Sequence, residues 1–130
     1  MPVRPRNLVF WRIAFLAYAA ALTVGTHWPR LELPREVPNS DKIVHVAAFC
    51  GLTILLWQSR WIASLRGLAI IAPIWAIIDE ITQAIPGLHR TVSAYDAAAN
   101  LLGIAIALAI VATVRHIQLR HRAGEHVTPL

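Results

Sequence analysis

The side chains that could do chemistry in this chain lie at the edges of long apolar runs and fall into three groups. The groups are Asp41, Lys42 and His45, then Asp79, Glu80 and Gln83, and finally Arg90, Ser93, Asp96 and Asn100. Most neighbours within a group are three or four positions apart, so a helix would carry them on one face. Carboxylates, an imidazole and a guanidinium are the groups that transfer protons and bind phosphate.

These residue types predict two kinds of role. The candidate acid–base residues are Glu80 or Asp96 as general base, with His45 as the proton-transfer partner. The candidate substrate-binding residues include Arg90 as a planar fork and Lys42 as a point charge for phosphate, and the full set is Asp41, Lys42, Gln83, Arg90, Ser93 and Asn100. A divalent metal on the carboxylates and His45 has no support from a compact ligand motif, so no metal or other cofactor is assigned.

The elements that must position these side chains are apolar helices. Hydrophobic residues make up 57% of the chain and charged residues only 15%, whereas about a quarter is charged in a typical soluble domain. A helix needs about 20 apolar residues to cross roughly 30 Å of hydrocarbon. The sequence therefore predicts a single-domain, all-α integral membrane bundle of about four transmembrane helices. The domain covers residues 1–130, with helices at about 8–27, 42–58, 62–85 and 94–114 and a polar tail at 115–130 that is expected to fray.

Helix breakers separate the four segments. Pro29, Pro34 and Pro38 make the first connection non-helical, and Pro86-Gly87 ends the third segment. Pro73 lies inside the third segment, where a membrane bundle tolerates the kink that proline introduces.

The first segment also has features of a secretory signal peptide. Arginines precede an apolar run that contains Ala17-Tyr18-Ala19, which has the small-x-small form of a cleavage site. Cleavage there would leave only a short apolar core, and the apolar run continues to Val24. An uncleaved first helix is therefore the preferred interpretation.

The distribution of basic residues predicts the direction in which the chain crosses the membrane. Eight of the 12 lysines and arginines fall on the side of the N-terminus, the 59–66 connection and the tail. Basic residues accumulate on the cytoplasmic side, so both termini are expected in the cytoplasm. The net charge of +5 fits anionic lipid headgroups and not nucleic acid, because the basic residues flank apolar runs instead of lining a polar face.

This topology puts all three polar groups at the outer face of the membrane, opposite the cytoplasm. Charges that face lipid are costly, so the three stripes are expected to face one another and form one site. The alternative is a set of separate structural roles, with Asp41 as a helix cap, Asp79 in solvent and Asn100 bonded to a neighbouring helix. That alternative explains each residue by itself. It explains less well why all of these residues should lie together at one level of the membrane.

The ordered spacing of these residues resembles that of the VanZ-like membrane proteins, a family named for a protein associated with resistance to the glycopeptide teicoplanin. The resemblance covers residues 41–103, about half of the chain. It implies a multi-pass protein of the bacterial cytoplasmic (inner) membrane that acts in the cell envelope, without implying a particular reaction. It rests on Asp41-Lys42-x-x-His45, on Glu80-x-x-Gln83, and on Pro86-Gly87-x-x-Arg90-x-x-Ser93-x-x-Asp96-x-x-x-Asn100-x-x-Gly103.

Two classes of function are open on this basis. One is an outer-face enzyme that modifies an anionic amphiphile such as a lipid-linked envelope precursor. The other is a noncatalytic protein that binds a lipid or a drug through the same residues, and turnover alone distinguishes the two. A small transporter subunit is a weaker alternative, because four short helices leave little room for alternating access unless the chain forms a homo-oligomer. The expected partners are membrane lipids.

Overall fold

The computed structural model describes residues 5–28, 40–85 and 93–125. These residues form four helices, which are α1 (Pro5–His27), α2 (Ser40–Gln58), α3 (Leu65–Thr82) and α4 (Ala94–Glu125). Each apolar segment of the sequence corresponds to one helix. The prediction of an all-α bundle is therefore confirmed for the described part of the chain.

Three of the helices are long and apolar enough to cross a membrane. The spans are Leu8–His27 in α1, the whole of α2, and Ala94–Gly124 in α4. The remaining helix, α3, is shorter at 18 residues and carries Arg66, Asp79 and Glu80. Its acidic residues are buried, and its outward face exposes six isoleucines, Ile70, Ile71, Ile74, Ile77, Ile78 and Ile81. The surface of α3 thus suits lipid, and a fourth crossing by this helix stays a prediction.

The centre of the bundle is α2, which packs most extensively against α4 and also contacts α1 and α3. Phe49 and Leu52 of α2 are almost completely buried in the core, together with Leu68 of α3 and Ile104 and Val111 of α4. Burial of such side chains is worth about 1.5–3 kcal/mol each in water. In lipid the same contacts act mainly through close packing between the helices.

Helix α4 approaches the backbone of α2 closely at Gly103. A Cβ added there would lie 2.2 Å from the carbonyl oxygen of Val46 and 3.0 Å from the amide nitrogen of Cys50. Only a residue without a side chain fits between these backbones. The two helices run parallel, so this contact also sets the distance between their first turns, where the polar residues lie.

Apart from the hydrogen bond that Tyr18 donates to Ala48 O, the polar contacts between elements of the described chain fall at the two ends of the bundle. At one end, Arg12 donates a hydrogen bond to Ser59 O over 3.3 Å, and Arg115 donates to Ala63 O over 3.5 Å. We call this the connection end. The opposite end, which holds Thr26, Lys42, Asp79 and Asp96, is called the site end. Which of the two ends faces the cytoplasm is predicted only from the distribution of the basic residues.

The last helix is longer than the sequence predicted. The expectation that the chain frays from residue 115 is wrong as far as Glu125, because α4 continues to that residue. No glycine or proline occurs between Arg115 and Gly124, and residues such as Leu119 and Gln118 are good helix formers. At ~1.5 Å per residue the 32 residues of α4 extend over roughly 48 Å, so its basic last turns project beyond ~30 Å of hydrocarbon.

Candidate functional site

Lys42 joins the first turns of α2 and α4 at the site end. Its ammonium nitrogen lies 2.5 Å from Asp96 Oδ1 and is also paired with the carboxylate of Asp41. Both carboxylates lie in the first turn of their helix, where the positive end of the helix dipole stabilises negative charge. One ammonium is thus shared by two carboxylates, and its charge is more than offset by its neighbours.

His45 lies one turn further along α2 and faces two residues of α4. Its Nδ1 is 2.8 Å from Asn100 Oδ1, and its Nε2 is 4.0 Å from Asp96 Oδ2. An amide oxygen only accepts hydrogen bonds, so with this amide orientation Nδ1 carries the hydrogen. Nε2 is then the ring atom that accepts or holds a further proton beside Asp96. The 4.0 Å separation is longer than a hydrogen bond and corresponds to an ion pair when the ring is protonated.

Glu80 reaches from α3 to the start of α4. It is 3% exposed, and its Oε1 accepts a hydrogen bond of 2.6 Å from the backbone amide of Ser93. The hydroxyl of Ser93 in turn accepts a hydrogen bond of 3.2 Å from the amide of Asp96. Ser93 therefore connects the carboxylate of Glu80 to the turn that carries Asp96. Among the described residues, Glu80 Oε2 has no hydrogen-bond partner.

A second polar cluster, which the sequence did not predict, joins α1 to α3. The expectation that Asp79 points into solvent is wrong, because Asp79 is buried. Its Oδ1 accepts a 2.9 Å hydrogen bond from Thr26, and its Oδ2 accepts a 3.4 Å hydrogen bond from Gln83. His27 lies beside this cluster, with Nδ1 3.8 Å from Asp79 Oδ1 and Nε2 2.9 Å from the hydroxyl of Thr82.

The sequence contained one signal for this second cluster. Thr26 and His27 are polar residues at the end of the first apolar run, and the predicted topology puts them at the membrane depth of Asp79. Their position also marks the boundary of the helix, and that is the only role the sequence analysis gives them. A polar residue that ends a span is equally able to bond a neighbouring helix.

The structure thus brings most of the predicted site residues to one end of the bundle. Those in contact across α2 and α4 are Asp41, Lys42, His45, Asp96 and Asn100. Glu80 joins them through Ser93, whereas Gln83 belongs to the cluster around Asp79. Asp79 and Glu80 are consecutive residues of α3, so the two clusters adjoin. Arg90 lies outside the described residues.

No metal-binding group of three or more His, Cys, Asp or Glu side chains occurs within the described ranges. No family model, no curated protein and no solved structure matches this chain. A proposal about function therefore rests on the geometry of the site end and on the spacing of its residues.

Proposed function

We propose that the protein is a VanZ-like protein of the bacterial cytoplasmic membrane whose outer-face site binds an anionic lipid or a lipid-linked component of the cell envelope and modifies it. The observation that carries the proposal is the position of the His45 ring, 2.8 Å from Asn100 and 4.0 Å from Asp96. An imidazole fixed between an amide and a carboxylate suits proton transfer. Its place at the ends of apolar helices suits a substrate whose headgroup lies at the membrane surface.

Each residue has a distinct role in this proposal. Asp96 or Glu80 is the base, and His45 relays the proton through Nε2. Lys42 is paired with two carboxylates, so it contributes little to binding an anion. The contact with phosphate falls to Arg90, because a guanidinium binds phosphate through two parallel hydrogen bonds.

A second candidate function is noncatalytic binding of a lipid or a drug, including a glycopeptide such as teicoplanin. The observation in its favour is that the same contacts tie helices together. Lys42 and His45 both link α2 to α4, which a purely structural network would also do. This candidate needs a ligand at the site end but no turnover.

The experiment is the identification of lipids that copurify with the protein, by mass spectrometry. We expect the wild type to retain a phosphate-bearing lipid that is enriched over the bulk membrane and that Arg90→Ala loses. Arg120→Ala is the matched control, because Arg120 is an exposed arginine on the basic last turns of α4. Lipid compositions identical to the bulk membrane in all three proteins would refute the proposal.

A further inference from the structure

We infer that the ligand of this site carries a positively charged amine in addition to its phosphate, and that Glu80 receives that amine. The inference rests on the proposed function and narrows it, because it makes the ligand a phosphate-bearing lipid whose headgroup is zwitterionic and not net anionic. The ligand class is an amphiphile with a zwitterionic headgroup, in which a primary ammonium stands close to a phosphodiester.

The first observation is the charge of the site end. Its described residues include four carboxylates and a single lysine. Lys42 is already shared by Asp41 and Asp96. Asp79 and Glu80 are therefore the carboxylates without a lysine or arginine partner in the described part of the chain. This excess of carboxylates among the described residues attracts a cation more readily than an anion.

The second observation separates Glu80 from Asp79. Both oxygens of Asp79 accept hydrogen bonds, from Thr26 and from Gln83. Glu80 is buried to the same degree, but only its Oε1 accepts a hydrogen bond, from Ser93, while no donor among the described residues reaches Oε2. A buried oxygen without a partner is costly, so Oε2 is the atom that a ligand donor would satisfy.

The third observation is independent of the acidic residues. Asn100 is completely buried, and its Oδ1 is bonded to His45 within the site. Its Nδ2 has no acceptor among the described residues. The site therefore offers an unsatisfied acceptor on Glu80 and an unsatisfied donor on Asn100. An ammonium that donates to the first and a phosphate or ester oxygen that accepts from the second would satisfy both.

The test is a competition among three phospholipids for the purified protein in detergent, read by native mass spectrometry. Phosphatidylethanolamine carries both groups, N-acetyl-phosphatidylethanolamine lacks the ammonium, and phosphatidylglycerol is anionic without an amine. We expect the wild type to prefer phosphatidylethanolamine by at least roughly tenfold, the equivalent of one charge-assisted hydrogen bond. Glu80→Gln should lose this preference. Asp79→Asn, the matched control at the neighbouring buried carboxylate, should keep it.

The outcomes separate the inference from the proposed function. Equal retention of all three lipids by the wild type would overturn the inference and leave an anionic-lipid site standing. Retention of none of them would overturn both. Arg90→Ala should weaken all three lipids alike. If it abolishes the preference instead, Arg90 is the partner of Glu80 and the inference is wrong. If Glu80→Gln fails to fold, the wild-type ratio still tests whether the ligand carries an amine.

Discussion

The ring of His45 in α2 and the amide of Asn100 in α4 lie 2.8 Å apart, and the two residues belong to parallel helices. The bond turns Nε2 of the ring towards Asp96, 4.0 Å away. All three residues belong to helices. It depends on the distance between α2 and α4, which is set where Gly103 meets the backbone of α2.

Gly103→Ala should therefore disturb both stability and the site. The added Cβ would stand 2.2 Å from Val46 O, which is a backbone atom and cannot move without α2. We expect a loss of about 1–3 kcal/mol in the free energy of unfolding, the usual cost of overpacking. Thermal unfolding followed by circular dichroism in detergent measures it.

Gly124→Ala is the control in the same helix. Nothing lies within 4 Å of a Cβ at Gly124, so the change should be neutral or should stabilise α4 by about 0.5–1 kcal/mol. Equal melting temperatures for the two variants would show that α4 does not approach α2 as closely as described.

Thr26→Val should weaken the link between α1 and α3. The substitution keeps the shape of the side chain and removes the hydroxyl, which donates a hydrogen bond of 2.9 Å to Asp79 Oδ1. Because the acceptor is a buried carboxylate, we expect a loss of about 1–2 kcal/mol in stability. The same unfolding measurement applies.

Thr113→Val is the matched control for this change. Thr113 is exposed, and its hydroxyl bonds only to Ala109 O within its own helix, at 2.9 Å. Its replacement should change stability by no more than about 0.5 kcal/mol. A similar effect of both variants would mean that the bond from Thr26 to Asp79 contributes nothing beyond helix propensity.

The sequence predicted the helices and one of the two polar clusters. Long apolar runs between breakers define the helices, and the four-residue spacing of Asp41 with His45 and of Asp96 with Asn100 gives each helix one polar face. Because consecutive helices run in alternate directions, both polar faces then lie at the same end of the bundle. These inferences need only helix geometry and topology, which a sequence carries.

The partners of individual side chains could not be predicted in the same way. Whether Lys42 binds a phosphate or pairs with Asp96 depends on the distance between two helices, and no spacing along the chain encodes that distance. Asp79 and Glu80 are adjacent, and their directions depend on how α3 is rotated against α1 and α4. The sequence does not reveal that α4 continues through its basic last turns. The basic residues after Arg115 mark the end of the membrane span, but the helix itself continues to Glu125.

The topology gives a further prediction. Cysteine at Tyr95, which is exposed at the site end, should react with a membrane-impermeant maleimide added to intact cells in a Cys50→Ala background. Cysteine at Ala63, in the basic connection, should be protected until the membrane is permeabilised. Labelling of the Ala63 position and protection of the Tyr95 position would put the site in the cytoplasm.

The central claim is that Glu80, Asp96 and His45 form a functional site and not a set of structural contacts. Loss of Lys42 would leave Asp41 and Asp96 without their shared counter-ion, so an effect on folding could not be separated from one on function. Glu80→Gln, Asp96→Asn and His45→Gln are sharper, because each keeps a polar head of similar size and removes a titratable group.

The deciding measurement is envelope activity, taken as teicoplanin susceptibility and lipid composition of cells at matched expression, together with the melting temperature of each purified variant. Thr113→Val serves as the control. We predict that all three site variants keep their melting temperature within a few degrees of the wild type and lose envelope activity together. Full activity in all three with normal stability, or activity that falls only in step with stability, would contradict the account.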